Sequence, residues 1–172
     1  MTTFIFVRHG NTNKPVDKNA DDLARTLTDK GREQARALGD TLKGLKPDSV
    51  ICSEAPRAVQ TANEALGEGT VISSLPELYL PIPPADRDAC NAHFAKLGYA
   101  SPREYLKEDA DMYRRYGARA SGAIRACLTG GERTVMIVGH AVLLTIVAHA
   151  LTGDESALDK NLGEAEHFVI EA

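Results

Sequence analysis

Two arginines and two histidines in this chain are suited by type to phosphoryl transfer. Arg8 and His9 are adjacent, Arg57 follows later, and His140 lies near the other end of the chain. A guanidinium stays charged at any working pH and offers paired N–H donors, so two of them can neutralise a transferring phosphoryl group. An imidazole nitrogen is a nucleophile that can form a covalent intermediate near neutral pH. These residues therefore predict phosphoryl transfer through a phosphohistidine, with no metal required.

The elements that must position these side chains are predicted to alternate between strands and helices. Short runs of β-branched and aromatic residues favour strands, and apolar residues at helical spacing favour helices between them. Thr28 is a predicted N-cap, Pro47 ends the helix that follows it, and Ser53 is predicted to cap the next helix. The predicted strands cover residues 3–7, 49–52, 70–72, 134–138 and 168–170. This order predicts an α/β fold, a three-layer α/β/α sandwich with a mostly parallel central sheet.

The four side chains are predicted to meet at one rim of this sheet. Arg8 and His9 follow the first strand, and His140 follows the most apolar strand. Arg57 falls in the first turn of the helix after the second strand. Ligands of open α/β sheets bind beyond the carboxyl ends of the strands, where these residues lie. The helix that begins after His140 would also direct backbone N–H groups towards an anion.

Length and composition fit one packed domain. The chain has 172 residues, 43% of them hydrophobic and 26% charged, which excludes a disordered chain, a collagen-like repeat and a small disulfide scaffold. Lys and Arg number 20 against 24 Asp and Glu, so the net charge is −4. A chain-wide basic surface for nucleic acid is therefore not expected, whereas a local basic pocket remains open.

The sequence predicts a cytoplasmic protein. The first residues have no basic leader, and their apolar run is too short for a signal peptide. Residues 134–153 carry no Asp, Glu, Lys or Arg and are long enough to span a membrane, but the two histidines among them favour a buried strand and a buried helix. Buried reduced thiols are expected because no CxxC pair occurs among the cysteines, which are Cys52, Cys90 and Cys127.

Four segments resemble the motifs of the histidine phosphatase superfamily, the phosphoglycerate mutase-like proteins. Residues 6–12, FVRHGNT, are similar to its Arg-His-Gly signature, and residues 27–35, LTDKGREQA, to the start of its first helix. Residues 53–62, SEAPRAVQTA, resemble its second-arginine motif, and residues 138–140, VGH, its second-histidine motif. The order and spacing agree from residue 4 to about residue 151.

The resemblance implies a role for each matching residue. His9 would be the nucleophile that becomes phosphorylated, Arg8 and Arg57 would hold the phosphoryl oxygens, and His140 would donate a further hydrogen bond to them. The family's proton donor is usually a Glu or Asp after the third strand, and Glu77 fits that place best. A carboxylic acid there would protonate the departing oxygen and then, as a carboxylate, activate water. Two other acidic residues, Asp86 and Asp88, fit the place less well.

The chain also departs from the family pattern. Mutase-like members carry an Asn that touches the phosphate after the Arg-His-Gly motif, and Pro15 stands at the corresponding position. Asn11 or Asn13 can substitute, and Asn11 is the predicted substrate-binding residue. The chain is shorter than typical phosphoglycerate mutases, so less material covers the site. Both departures favour an open phosphatase over a mutase, and the size is similar to that of small bacterial phosphohistidine phosphatases.

The expectation is therefore one domain over residues 1–172, with a small helical cap at about residues 83–119. It would hydrolyse a phosphomonoester or a phosphoramidate through phosphorylated His9, without a cofactor. Its partner would be a phosphorylated small molecule or a phosphohistidine protein, with no nucleic acid or membrane involved. Three alternatives remain: a mutase, a phosphatase acting on a protein's phosphohistidine, and a non-catalytic phosphate-binding adaptor.

The remaining histidines and a basic cluster have ordinary interpretations. No ligand spacing links His93, His149 and His167, so they are predicted to be structural or surface residues. A basic cluster on the inserted helices is either a solvated face or an attractor of phosphorylated substrate, and it consists of Arg114, Arg115 and Arg119.

Overall fold

A computed structural model describes residues 1–14 and 22–172 of the chain. Within them, one sheet contains β1 (Thr3–Arg8), β2 (Ser49–Ser53), β3 (Ser73–Leu75), β4 (Thr134–Gly139) and β5 (His167–Glu171). The helices are α1 (Asp29–Thr41), α2 (Pro56–Leu66), α3 (Pro84–Leu97), α4 (Pro102–Glu108), α5 (Ala110–Cys127) and α6 (Ala141–Thr152). Short 3₁₀ helices cover Pro76–Leu78 and Glu155–Asp159.

The sheet is mostly parallel, as the sequence predicts. Its strand order is β3-β2-β4-β1-β5. Strands β1 to β4 run parallel, and β5 pairs antiparallel with β1 at the edge of the sheet. In the centre, Arg8 at the end of β1 pairs with Gly139 at the end of β4. The residues that follow these two strands, His9 and His140, therefore emerge side by side.

Helices cover both faces of the sheet and confirm the three-layer sandwich. Along β1, Phe4 and Phe6 belong to one buried cluster, and Ile5 and Val7 belong to a second cluster on the other face. Such alternation is what a strand with two buried faces produces, because successive side chains point to opposite sides. Helices α1 and α2 supply the second cluster, and α5 and α6 supply the first.

Two glycines allow helix α1 to pack tightly against the loop that carries His9. A Cβ atom on Gly10 would lie 2.7 Å from the carbonyl oxygen of Gly31, and one on Gly31 would lie 2.2 Å from the carbonyl oxygen of Asn11. Thr28 caps α1 as predicted, since its side chain accepts a hydrogen bond from the Gly31 N–H. The start of α1 therefore fixes the path of the chain just after the first strand.

Three local predictions are wrong. Helix α1 ends at Thr41 and does not extend to Pro47. The third strand is predicted at residues 70–72, but β3 begins at Ser73, which pairs with Ile51, and Val71 is 88% exposed. The β-branched run favours a strand, but the parallel register with β2 selects the next three residues. Ser53 does not cap α2 either, because Ala55 occupies the N-cap position without a side-chain hydrogen bond. The Ser53 hydroxyl instead bonds to His140.

The long apolar segment and the segment predicted as a cap both form helices or strands that pack into the α/β structure. Residues 134–153 form β4 and α6, as predicted, and no described helix is long and apolar enough to cross a membrane. The segment predicted as a cap, 83–119, contains α3, α4 and the first part of α5. Helix α5 continues to Cys127, and its buried residues join those of α6 in one cluster.

Candidate active site

A cavity of about 350 Å³ at the carboxyl end of the sheet brings the four predicted residues together. Arg8, His9, Arg57 and His140 all line it. The ring centroids of the two histidines are 5.1 Å apart. The strand ends and the first turn of α2 thus meet at one rim, as their positions in the sequence predict.

His9 is half-buried and held in one tautomer. Its Nδ1 lies 2.8 Å from the carbonyl oxygen of Gly10, which can only accept a hydrogen bond, so Nδ1 carries the proton and Nε2 keeps its lone pair. The pKa of His9 is lowered to about 4, chiefly by burial and also by the charges of Arg57 and Arg8, against the opposing effect of the Gly10 hydrogen bond. At neutral pH the ring is therefore an uncharged imidazole with a lone pair on Nε2.

His140 lies half-buried beside it and is also neutral. Burial holds the pKa of His140 well below its usual range, and His9 and the nearby arginines add to the effect. Its Nε2 shares a hydrogen bond of 2.8 Å with the Ser53 hydroxyl. The ring of Tyr79 packs edge-on against it, with centroids 5.3 Å apart. Ser53 and Tyr79 therefore fix the orientation of the imidazole.

The two arginines retain hydrogen-bonding capacity inside the protein. Arg8 donates from Nη1 to the carbonyl oxygen of Leu162 at 2.7 Å, and its guanidinium lies 4.8 Å from the centre of the Tyr99 ring. The Arg57 side chain is only 4% exposed. The Nε atoms of both arginines are buried and have no hydrogen-bond partner in the described part of the chain. A buried donor without an acceptor costs about 1–3 kcal/mol, so an anion that supplied acceptors here would be stabilised.

Sequence reasoning missed several charged residues of the site, and two of them contact each other. Arg25 and Asp22 both line the cavity. Arg25 donates from Nε to the carbonyl oxygen of Asn13 at 2.8 Å, and its Nη2 donates to the Thr12 hydroxyl. Asp22 bonds to Arg57 and Arg25. Both residues belong to the segment between β1 and α1, and no motif in the sequence marks them.

Asn11, the predicted substrate-binding residue, lines the cavity but is engaged within the protein. Its Nδ2 donates to Glu164 Oε1 at 2.9 Å, and its Oδ1 accepts from the Thr28 hydroxyl at 2.6 Å. Glu164 lines the same cavity and also accepts a hydrogen bond from Gln34. Asn11 thus links the first loop to the C-terminal part of the chain. Pro15, at the position where mutase-like members have Asn, lies outside the described residues.

Glu77, the predicted proton donor, is not among the residues that line this cavity. It sits on the 3₁₀ helix Pro76–Leu78 and lines a neighbouring cleft of about 140 Å³. Leu80 lines both spaces. Of the described residues that line the main cavity, the acidic ones are Asp22 and Glu164.

The predicted basic cluster does not form one surface. Arg115 and Arg119 line the small cleft beside Glu77, where Arg115 pairs with Asp86 at 3.1 Å. Arg114 instead lines a groove that α5 shares with α6. The cluster therefore does not overhang the cavity that contains His9. Among the described residues, no group of three His, Cys, Asp or Glu side chains is arranged to hold a metal ion.

Comparison of the sequence with known proteins identifies relatives that are named phosphatases. The mitochondrial serine/threonine-protein phosphatase Pgam5 of Drosophila mojavensis is 33% identical over 162 residues, which is 86% of this chain and 50% of that protein. The adenosylcobalamin/alpha-ribazole phosphatase of Escherichia coli K12 is 32% identical over 109 residues, which is 62% of this chain and 48% of that protein. The chain thus spans about half the length of the curated relatives it matches.

A solved structure shares the fold over nearly the whole chain. A mycobacterial glucosyl-3-phosphoglycerate phosphatase superposes with a TM-score of 0.70 at 22% identity, covering 99% of this chain and 93% of the other. The family model for branch 1 of the histidine phosphatase superfamily matches residues 4–79. That stretch carries Arg8, His9 and Arg57, and the shared fold extends over the part of the chain that carries His140. Residues 4–79 of this chain therefore match branch 1 of the histidine phosphatase superfamily, and the whole chain shares the fold of a phosphatase structure.

Proposed function

We propose that the protein is a phosphatase that hydrolyses a phosphomonoester or a phosphoramidate through a covalent phosphohistidine on His9. One observation carries the proposal: a neutral imidazole with its Nε2 lone pair available lies in a cavity lined by the buried Arg57 and the half-buried Arg8. A nucleophile that is already neutral needs no base to activate it. The arginines supply the positive charge that a transferring phosphoryl group requires.

In the first step, Nε2 of His9 attacks phosphorus and forms a P–N bond. The bond from phosphorus to the leaving oxygen or nitrogen breaks, and the leaving group takes the electron pair and a proton. The hydrogen bond from Nδ1–H to the Gly10 carbonyl stabilises the phosphorylated ring, which carries a positive charge. In the second step, water attacks phosphorus, the P–N bond breaks, and His9 and orthophosphate are released.

Three groups beside His9 are suited to hold the phosphoryl oxygens. Arg8 and Arg57 carry buried Nε–H groups that lack acceptors among the described residues. His140 is neutral and can donate one N–H. Helix α6 starts directly after it, at Ala141, which also lines the cavity, so the helix N-terminus adds a favourable field for an anion.

The proton donor is harder to assign than the other roles, because neither of the two candidates, Glu77 and Asp22, is a protonated acid inside the cavity. Glu77 is proposed from the family resemblance, although it lines the neighbouring cleft and not the main cavity. Asp22 lines the cavity, but burial, which would raise its pKa, is outweighed by hydrogen bonds from Arg25 and Tyr79 and by the charge of Arg57. The lowered pKa keeps Asp22 ionised, so it has no proton to give in the ligand-free site.

The substrate proposed is a phosphorylated small molecule or a phosphohistidine protein. The relatives named above include a protein phosphatase and a small-molecule phosphatase, so their names support both classes. Asn11 is proposed as a substrate-binding residue because it lines the cavity. A cytoplasmic location is proposed from the sequence and is supported by the state of the cysteines, all free and two of them buried.

The test is phosphate release from p-nitrophenyl phosphate by the wild type, His9→Ala and the control His167→Ala. Release by the wild type and by the control, but not by His9→Ala, is the expected result. Rapid quenching with ³²P-labelled substrate should trap an acid-labile, alkali-stable label on the wild type only. Movement of phosphate between positions without net release would instead indicate a mutase. Phosphate binding without labelling or turnover on any donor would indicate an adaptor.

A further inference from the structure

The carboxylate of Asp22 lies on the guanidinium that the proposed function assigns to the phosphoryl group. Arg57 donates from Nη2 to Oδ2 of Asp22 at 3.0 Å and from Nη1 to the backbone carbonyl of Asp22 at 2.7 Å. The Arg57 side chain is almost completely buried, whereas the Asp22 side chain is 48% exposed. The arginine is therefore fixed in the protein, and its partner faces the cavity.

Donors from separate parts of the chain converge on this one carboxylate. The Tyr79 hydroxyl donates to Oδ2 at 2.8 Å, and Nη1 of Arg25 donates to Oδ1 at 2.7 Å. Together with Arg57 they satisfy both oxygens, and they do so with two guanidiniums and a hydroxyl. Paired guanidinium donors are also what a phosphate group would use, so the carboxylate occupies an anion site.

The carboxylate leaves this anion site only partly satisfied. Both Arg57 and Arg8 keep a buried Nε–H without an acceptor in the described residues. The Nη1 of Arg8 donates to the Leu162 carbonyl and not to Asp22. A phosphoryl group has more oxygens and more charge than a carboxylate, so it can satisfy donors that Asp22 does not reach.

We propose that Asp22 is a resident anion, which a phosphoryl group must displace from Arg57 on binding and which competes with the orthophosphate product for the same arginine. This inference rests on the proposed function, because it takes Arg57 as a phosphate ligand. In the catalytic cycle, the returning carboxylate limits retention of the product. The affinity of the wild type for phosphate is therefore weaker than its arginines alone would give.

The experiment measures the dissociation constant of inorganic phosphate by isothermal titration calorimetry for the wild type and Asp22→Asn. Hydrogen bonds to charged groups and the partial exposure of Asp22 together suggest that phosphate binds about tenfold more tightly to the variant. Asp22→Ala should give the same direction and covers the case in which an Asn amide still occupies Arg57. The control Asp159→Asn removes a carboxylate that pairs with Arg103 at 2.6 Å outside the cavity, and its phosphate affinity should equal that of the wild type.

An unchanged or weaker phosphate affinity in both Asp22 variants would overturn the proposal. Loss of turnover in these variants would not by itself support the proposal. A proton-transfer role of Asp22 also predicts a lower kcat, but without tighter phosphate binding. The two hypotheses fail separately. If the wild type releases no phosphate from any ester but Asp22→Asn binds phosphate more tightly, hydrolysis is wrong and the resident anion stands. If the wild type turns over and the phosphate affinities are equal, hydrolysis stands and the resident anion is wrong.

Discussion

At the scale of single residues, burial acts differently on the two kinds of cationic side chain in the cavity. The guanidiniums stay charged wherever they are placed, whereas an imidazole can give up its proton. Burial lowers the pKa of His9 to about 4 and that of His140 well below its usual range. The same cavity therefore holds permanent positive charge and neutral nitrogen bases side by side, which is the combination that phosphoryl transfer to nitrogen requires.

The lowered pKa of His9 predicts a pH-dependent stability. Between about pH 6.5 and pH 4, His9 is protonated in the unfolded chain but stays neutral in the folded protein. The free energy of unfolding therefore falls as the pH falls through this window. At pH 5 this linkage amounts to about 2 kcal/mol for His9. We expect the difference in urea-unfolding free energy between pH 7 and pH 5 to shrink by about that amount in His9→Gln. His167→Gln is the control, and equal pH dependence of the wild type and His9→Gln would contradict the assigned pKa.

Glu77 can be tested by changing the leaving group. If its carboxyl protonates the departing oxygen, Glu77→Gln should lower kcat on an alkyl phosphate by about 10²-fold. The effect on p-nitrophenyl phosphate should be only a few-fold, because nitrophenolate leaves without protonation. Initial rates of phosphate release on both substrates provide the measurement. Equal losses on the two substrates, or no loss on either, would remove Glu77 from the mechanism and agree with its position in the neighbouring cleft.

At the scale of elements, the site depends on how closely α1 approaches the loop after β1. The Cα of Gly31 has no room for a side chain, since a Cβ there would lie 2.2 Å from the Asn11 carbonyl oxygen. Backbone cannot yield as a flexible side chain does, so Gly31→Ala must push α1 away from the loop that begins with His9 and Gly10. The elements that hold the nucleophile are therefore sensitive to one methyl group.

We expect Gly31→Ala to lower the free energy of unfolding by about 1–3 kcal/mol, a typical cost of overpacking, and to lower kcat/KM on p-nitrophenyl phosphate as His9 shifts. The matched control is Gly122→Ala, because Gly122 lies inside α5 and a Cβ atom there would have nothing within 4 Å. An alanine at that position should leave turnover unchanged and raise stability by up to about 1 kcal/mol. Urea unfolding and steady-state kinetics measure both effects. A Gly31→Ala protein as stable and active as the wild type would show that this packing does not position the site.

The strands and helices with strong apolar patterns could be predicted from the sequence, and the contacts made by loops could not. Strands β1 and β4 and helix α6 are marked by continuous apolar runs that need burial on both faces. Strand β3 is short and lies at an edge, so its position depends on pairing with β2 and not on its own residues. The contact between Asp22 and Arg57 joins residues 35 positions apart, and no local pattern in the sequence encodes it.

At the scale of the whole molecule, positive side chains gather in one cavity although the chain as a whole is negatively charged. The chain carries a net charge of −4, yet Arg8, Arg25, Arg57 and Lys14 line one cavity. Composition could exclude a basic surface over the whole chain. It could not reveal that cations gather at one place, because only folding brings these residues together. A cavity of this kind focuses the field and attracts anions that the rest of the surface repels.

This distribution predicts that capture of a phosphorylated substrate is sensitive to salt. Raising NaCl from 10 to 500 mM shortens the screening length from roughly 30 Å to about 4 Å, so kcat/KM on p-nitrophenyl phosphate should fall by about tenfold while kcat changes much less. Lys14→Gln, which removes an exposed cation at the cavity, should flatten the salt dependence, and the control Lys160→Gln, outside the cavity, should not. A value of kcat/KM that is independent of salt would mean that the arginines act only after the substrate is bound. A salt dependence that Lys14→Gln leaves unaltered would mean that the arginines lining the cavity, and not Lys14, attract the substrate.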